Sequence, residues 1–155
     1  MNSLQKGNSF YVRGPYGQGV NVPQKSNVVL VGGGCGIAGL YLLAKKLSQG
    51  SSVSTLLAAK DRDHIAYLDE FRRYGEVEVA TEDGSLGRKG LVTDLMIDLK
   101  EGSYFFNCGP KKMIEAIKEF TKYKNRKTKV IIHTTIWEEN LDDLGKIVEL
   151  GERLN

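Results

Sequence analysis

The residues whose types and spacing most clearly predict chemistry lie in the stretch VVLVGGGCGIAGL. Gly34, Gly36 and Gly39 match the G-x-G-x-x-G spacing of dinucleotide-binding turns, and Gly32 and Gly33 extend the glycine run. A short apolar run precedes them and a helical pattern follows. Such glycines let the backbone approach a ligand, and the N–H groups of a helix N-terminus favour an anion. The turn predicts a phosphate site, although the glycines could also serve only tight packing between strand and helix.

The stretch AAKDRD, at the end of the next apolar run, bears on which nucleotide would bind. An acidic residue there recognises a ribose hydroxyl, whereas a basic one accommodates a 2′-phosphate. Lys60, Asp61 and Arg62 offer both kinds of charge, so NAD and NADP remain equally open. A second interpretation is that Asp61 or Asp63 caps a helix and contacts no cofactor.

The remaining reactive residues form no recognisable catalytic or metal-binding pattern. Cys35, Cys108, His64 and His133 lack the spacing of metal ligands, so no metal site is predicted, and structural roles are expected for both histidines. Cys108 ends the predicted strand SYFFNCG, and the carboxyl ends of central parallel strands face the ligand crevice. It could equally be a small buried core residue.

The elements that must position these residues alternate between strand and helix. Apolar runs in NVVLVG, SVSTLLAA, EVEVAT, SYFFNCG and KVIIHT predict five strands. Helices are predicted over IAGLYLLAKKLSQ, DHIAYLDEFRRY, LVTDLMIDL and PKKMIEAIKEFTKY, and in the C-terminal stretch EENLDDLGKIVELGERLN. This alternation predicts an α/β, three-layer Rossmann-like domain over residues 27–155, with about five parallel strands and helices on both faces.

Composition narrows the function classes. A chain of 155 residues with a net charge of +3 fits one ordinary domain. It has no apolar run of about 18 residues and no signal-peptide pattern, so we expect a cytoplasmic protein without membrane contact. The basic residues between Lys122 and Lys129 predict a solvated loop rather than a nucleic-acid site.

Four stretches, in order along the chain, resemble one family. RGPYGQGV, VLVGGGCGIAGL, VEVATEDGSLGRKGLVTDL and YFFNCGPKKMIEAI are similar to the NAD-binding part of the dihydroorotate dehydrogenase electron-transfer subunit, within the ferredoxin-NADP reductase superfamily. The resemblance covers roughly residues 10–120, and four ordered matches are far more specific than one glycine motif.

The resemblance implies roles for particular residues. RGPYG closes the family's flavin-binding barrel, so residues 1–26 are interpreted as the end of such a barrel or a linker. The glycine turn holds the pyrophosphate, TEDGS lies on the nucleotide side, and the CGP cysteine stands near nicotinamide and flavin, where hydride passes. The implied cofactor-binding residues are Gly32, Gly33, Gly34, Gly36, Thr81, Asp83, Gly84 and Gly109, with Met113 beside them and Cys108 at the site of chemistry.

The chain also departs from the family pattern. The flavin barrel should precede RGPYG, where only about a dozen residues stand, and no cysteine-rich segment follows, so no iron–sulfur cluster is expected. Gly39 replaces a common proline. Lys60 replaces an arginine, which keeps the charge but not the bidentate fork.

Together these features predict the nicotinamide-nucleotide-binding component of a flavin-dependent electron-transfer assembly. The flavin would come from a partner dehydrogenase subunit or a missing domain, and without it we expect no activity. The alternative is an accessory subunit that has lost nucleotide binding and docks on a dehydrogenase. Trp137 and the C-terminal helix would then be natural interface elements.

Overall fold

The structure is a computed structural model, and it describes residues 6–7, 9, 11, 20–96, 103–123 and 129–132. The RGPYG stretch, His133, Trp137 and the predicted C-terminal helix lie outside the described residues. Within the described ranges, no helix has the length and apolar character needed to cross a membrane.

One parallel sheet forms the centre of the fold, with the strand order β4-β3-β2-β1-β5-β6. The five predicted strands are confirmed as β1, β2, β3, β5 and β6. The two-residue strand β4 was missed because it lies in the polar loop after β3 and is too short to show alternation. The strands are β1 (Asn27–Gly33), β2 (Ser52–Ala59), β3 (Glu76–Thr81), β4 (Arg88–Lys89), β5 (Tyr104–Cys108) and β6 (Lys129–Ile132).

Four helices occur in the described residues. The predicted helix over residues 63–74 is wrong in its first half, since Arg62–His64 forms a 3₁₀ turn. A longer helix is interrupted at Tyr67, whose left-handed backbone (φ 60°) does not fit an α-helix. The helices are α1 (Gly36–Leu47), α2 (Leu68–Arg72), α3 (Val92–Leu95) and α4 (Lys111–Tyr123).

The helices cover both faces of the sheet, which confirms the predicted three layers. On one face, α1 and α2 pack on the sheet through buried residues that include Leu40 and Phe71. On the other, α3 and α4 pack through residues that include Leu95 and Ile117. Strands buried on both faces require nearly continuous apolar runs, and six of the seven residues of β1 are buried.

The order in which strands are added to the sheet changes side at β1. It passes from β1 outward to β2, β3 and β4, and then returns to place β5 on the other side of β1. Open parallel sheets bind ligands at such a switch point, in the crevice outside the carboxyl ends of the strands. Gly32 pairs with Cys108 in the register of β1 and β5, so the glycine turn and the Cys108 loop meet there.

Candidate functional site

The glycine turn between β1 and α1 depends on Gly34. This residue has a φ of +52°, in the left-handed region that favours glycine, and its N–H donates to the Ala58 carbonyl at 3.3 Å. A Cβ added at Gly34 would meet no atom within 4 Å. The turn therefore presents bare backbone to open space beyond the sheet edge.

Gly36 brings the start of α1 directly onto the loop after β5. A Cβ at Gly36 would collide with the carbonyl group of Cys108. On the other side of the junction, the Met113 side chain lies against both Gly33 and Gly109. The glycine turn and the Cys108 loop are thus packed backbone to backbone, and Met113 also contacts the core beneath α4.

The N-terminus of α1 has no side chain that neutralises it. Its N-cap, Cys35, makes no capping hydrogen bond, and the first turn contains no acidic residue. The N–H of Ile37 donates to the Gly34 carbonyl at 3.2 Å, which closes the turn. The partial positive charge of the helix end therefore faces the exposed turn without a counter-charge from its own first turn.

Cys108 lies half-buried at the end of β5, beside the Gly36 junction. Burial raises the pKa of its thiol, so the side chain is a neutral thiol at neutral pH. The preceding residue, Asn107, is buried, and no described residue hydrogen-bonds its side-chain oxygen. Sequence reasoning missed Asn107, although an asparagine inside an otherwise apolar strand is a visible signal.

At the end of β2, Asp61 acts as the cap that the alternative interpretation predicts. Its Oδ1 accepts hydrogen bonds from the N–H groups of Asp63 (2.9 Å) and His64 (3.3 Å), and lies 2.7 Å from His64 Nδ1. The contact with the His64 side chain is the main cause that lowers the pKa of Asp61. Lys60 and Arg62, on either side, are exposed.

The loop after β3 is shaped by Thr81 and Asp83. Thr81 is fully buried, and its hydroxyl donates to the Leu86 carbonyl (2.9 Å) and accepts from the Leu86 N–H (3.1 Å). The exposed Asp83 accepts from the N–H and the hydroxyl of Ser85, which lowers the pKa of its carboxyl. Thr81 therefore shapes the loop from inside, while Asp83 and Gly84 are exposed on it.

The loops after β2 and β3 are joined into one unit. The N–H of Asp83 donates to the Lys60 carbonyl at 3.2 Å, and the N–H of Arg62 donates to the Ser85 hydroxyl at 2.8 Å. We call residues 60–64 and 81–90 the loop pair. In the sequence, Ser85 stands only as the last residue of TEDGS and no role was predicted for it, because a bond between residues 23 positions apart leaves no local pattern.

The predicted site residues thus form two groups along one edge of the sheet. The glycine turn and the Cys108 loop lie at the ends of β1 and β5, and the loop pair lies at the ends of β2 and β3. Three strand spacings of about 4.8 Å separate β5 from β3, which gives an edge about 14 Å long. A cavity of about 420 Å³ lies elsewhere, near the amino ends of β1 and β2.

Comparison with protein-family models finds no match. Several curated proteins are similar to the chain. The dihydroorotate dehydrogenase B (NAD(+)) electron transfer subunit of Fusobacterium nucleatum is 37% identical over 126 residues, which are 76% of this chain and 49% of that protein. The probable counterpart from Methanocella arvoryzae is 40% identical over 114 residues, 72% of this chain and 44% of that protein. The chain spans about half the length of these relatives.

Solved structures share the fold. An NADH-dependent reduced ferredoxin-NADP oxidoreductase superposes with a TM-score of 0.65 at 28% identity, over 81% of this chain and 47% of that one. The C-terminal domain of PF1911 hydrogenase from Pyrococcus furiosus gives a TM-score of 0.58 at 18% identity, over 76% of this chain and 98% of that domain, which shows the fold alone. Over about three quarters of its length, the chain therefore resembles dihydroorotate dehydrogenase electron transfer subunits, with a ferredoxin reductase-like α/β fold, as its motifs predict.

Proposed function

We propose that this chain binds a nicotinamide dinucleotide along the carboxyl edge of its sheet and presents the nicotinamide to a flavin. The observation that carries this proposal is the junction at the switch point, where Gly36 rests on the Cys108 carbonyl beside the exposed Gly34 turn. In this assignment residues 27–155 form the nucleotide-binding domain, and residues 1–26 correspond to the end of a flavin-binding barrel or a linker.

The glycine turn fits a pyrophosphate. A Cβ at Gly34 would project into open space, so the turn has room for a ligand against bare backbone. The N-terminus of α1 carries no acidic residue in its first turn that would repel an anion. Gly32, Gly33, Gly34 and Gly36 would hold the pyrophosphate at this point.

The residues on either side of the glycine turn would bind the two ends of the dinucleotide. Cys108 and Gly109 would lie at the nicotinamide end, because they flank the glycine turn at the end of β5. Because the thiolate is the nucleophilic form, a neutral and half-buried Cys108 thiol is suited to packing against the nicotinamide and orienting it rather than to acting as a nucleophile. Lys60, Asp61, Asp83 and Gly84 would lie at the adenosine end, shaped from below by Thr81.

The partner follows from the similarity to electron transfer subunits. When bound, NADH supplies the hydride, and a flavin must accept it. We propose that the flavin is supplied by a separate flavin-binding domain or by a dehydrogenase subunit of the dihydroorotate type. We favour NAD over NADP because the names of the related electron transfer subunits specify NAD(+).

Calorimetric titration of the full chain with NADH, NAD⁺, NADPH and NADP⁺ tests the proposal. Saturable binding of NADH is expected, and Gly34→Asp should abolish it by placing a carboxylate at the pyrophosphate position. Gly7→Asp is the matched control, because Gly7 also has a positive φ (+99°) with no atom within 4 Å of an added Cβ. No binding at millimolar nucleotide would contradict the proposal and favour an accessory subunit without nucleotide binding.

A further inference from the structure

We propose that Ser85 is the positioning residue of the adenosine side of this site, because its hydroxyl holds the loops after β2 and β3 in one arrangement. The inference rests on the proposed function and adds to it a role for the serine of TEDGS, to which the resemblance assigned none. Ser85 would not contact the nucleotide itself. It would act through Lys60, Asp61 and Asp83, the residues predicted to line the adenosine end.

The hydroxyl of Ser85 takes part in a relay that crosses between the loops. It accepts the N–H of Arg62 at 2.8 Å and donates to Asp83 Oδ1 at 2.7 Å. The Ser85 N–H donates to the same carboxylate oxygen at 2.9 Å. One hydroxyl therefore connects a backbone amide of the β2 loop to a charged side chain of the β3 loop.

The Arg62 amide is the point at which this relay controls the β2 loop. Arg62 is the first residue of the 3₁₀ turn, and amides at the start of a helical turn have no partner within it. Ser85 supplies that partner. The same turn is closed on its other side by Asp61, whose Oδ1 accepts from Asp63 and His64. The position of Lys60 and Asp61 is therefore set jointly by a local cap and by Ser85.

Backbone contacts alone leave the loop pair less constrained. The bonds from Glu82 to Ala59 (3.1 Å) and from Asp83 to Lys60 (3.2 Å) continue the β2–β3 pairing only to the start of the loops. Ser85 extends the connection beyond that point, to Arg62. Removing its hydroxyl would release the tip of the β2 loop. The Asp83 carboxylate would lose the hydrogen bond from the Ser85 hydroxyl and keep the one from the Ser85 N–H.

The test uses the full chain and two ligands, NADH and ADP-ribose, which lacks the nicotinamide. Ser85→Ala is expected to weaken both by the same factor of about ten, as the loss of one charge-assisted hydrogen bond would do. Ser85→Thr keeps a hydroxyl and should restore most of the affinity. Ser48→Ala is the matched control, because the Ser48 hydroxyl also makes an exposed hydrogen bond, which it donates to the Lys45 carbonyl at the far end of α1.

The outcomes separate this inference from the proposed function. If the wild-type chain binds neither ligand, both fall. If it binds them and Ser85→Ala binds equally well, only the role of Ser85 is overturned. An equal loss in Ser85→Thr, or a loss confined to NADH, would also overturn it, because the effect would then not come from the hydroxyl or not from the adenosine side.

Discussion

Two regions lie on one edge of the sheet and are held together in different ways. The first is the glycine turn with the Cys108 loop, and the second is the loop pair. In the first region, the absence of a side chain at Gly36 lets its backbone lie directly against the Cys108 carbonyl. At the second, polar side chains bridge exposed loops, as Ser85 does between Arg62 and Asp83. A junction of backbones tolerates no added atom, whereas hydrogen-bonded loops tolerate substitutions that keep the donors and acceptors.

The largest expected effect is that of Gly36→Ala, because its Cβ would collide with the Cys108 carbonyl and neither backbone can give way cheaply. We expect a loss of about 3 kcal/mol in the free energy of unfolding, measured by chemical denaturation. Gly39→Ala is the control: its Cβ would lie 3.7 Å from the Cys108 sulfur, an ordinary contact, and alanine favours the helix by up to about 1 kcal/mol. Equal stability of the two variants would show that the junction is not tight.

A second substitution separates charge from shape at the turn. Asparagine and aspartate both tolerate the left-handed backbone of Gly34, but only aspartate adds a negative charge. Gly34→Asp should weaken NADH binding at least about tenfold more than Gly34→Asn, a difference of about 1.4 kcal/mol. Calorimetry on both variants measures this difference. Similar affinities for the two would argue against an anion at the turn.

The cysteines offer a chemical comparison across the junction. Cys35 is exposed, whereas Cys108 is half-buried and burial raises the pKa of its thiol. At pH 7.5 iodoacetamide should label Cys35 faster than Cys108 by about tenfold, because alkylation requires an accessible thiolate. The labelling rate of Cys108 should still be rising above pH 9, its ordinary pKa. Mass spectrometry of the timed products gives both rates, and faster labelling of Cys108 would contradict the structure.

The smallest effect is expected at the cap of the loop pair. The pKa of Asp61 is lowered in the folded chain, chiefly by His64, so its carboxylate stabilises the fold above its ordinary pKa of 3.8. That contribution is lost as the pH falls through the lower folded value. Asp61→Asn should therefore be slightly less stable than wild type at pH 7, and the gap should close as the pH falls below 3.8. Thermal unfolding across this range measures the gap, and a gap that persists at low pH would exclude the ionised cap as its cause.

Most of the strand pattern was predictable, because the five longer strands show either apolar runs or alternating apolar residues between turn signals. The 3₁₀ turn at Arg62–His64 was not, since apolar spacing alone favoured a helix there. The predicted helix is interrupted at Tyr67, which has a left-handed backbone and whose ring stacks on that of Tyr41 in α1, with ring centroids 5.6 Å apart. A contact between residues so distant in sequence is invisible to periodicity.

By itself, the sequence determined the α/β class, the position of the glycine turn and the resemblance to electron transfer subunits. These follow from apolar periodicity, from glycine spacing and from ordered motifs, all of which are local. Only the tertiary structure decided that Gly36 lies on the Cys108 carbonyl and that Ser85 joins two loops. Each of these depends on which strands become neighbours, and strand order arises from packing the whole sheet between its helices.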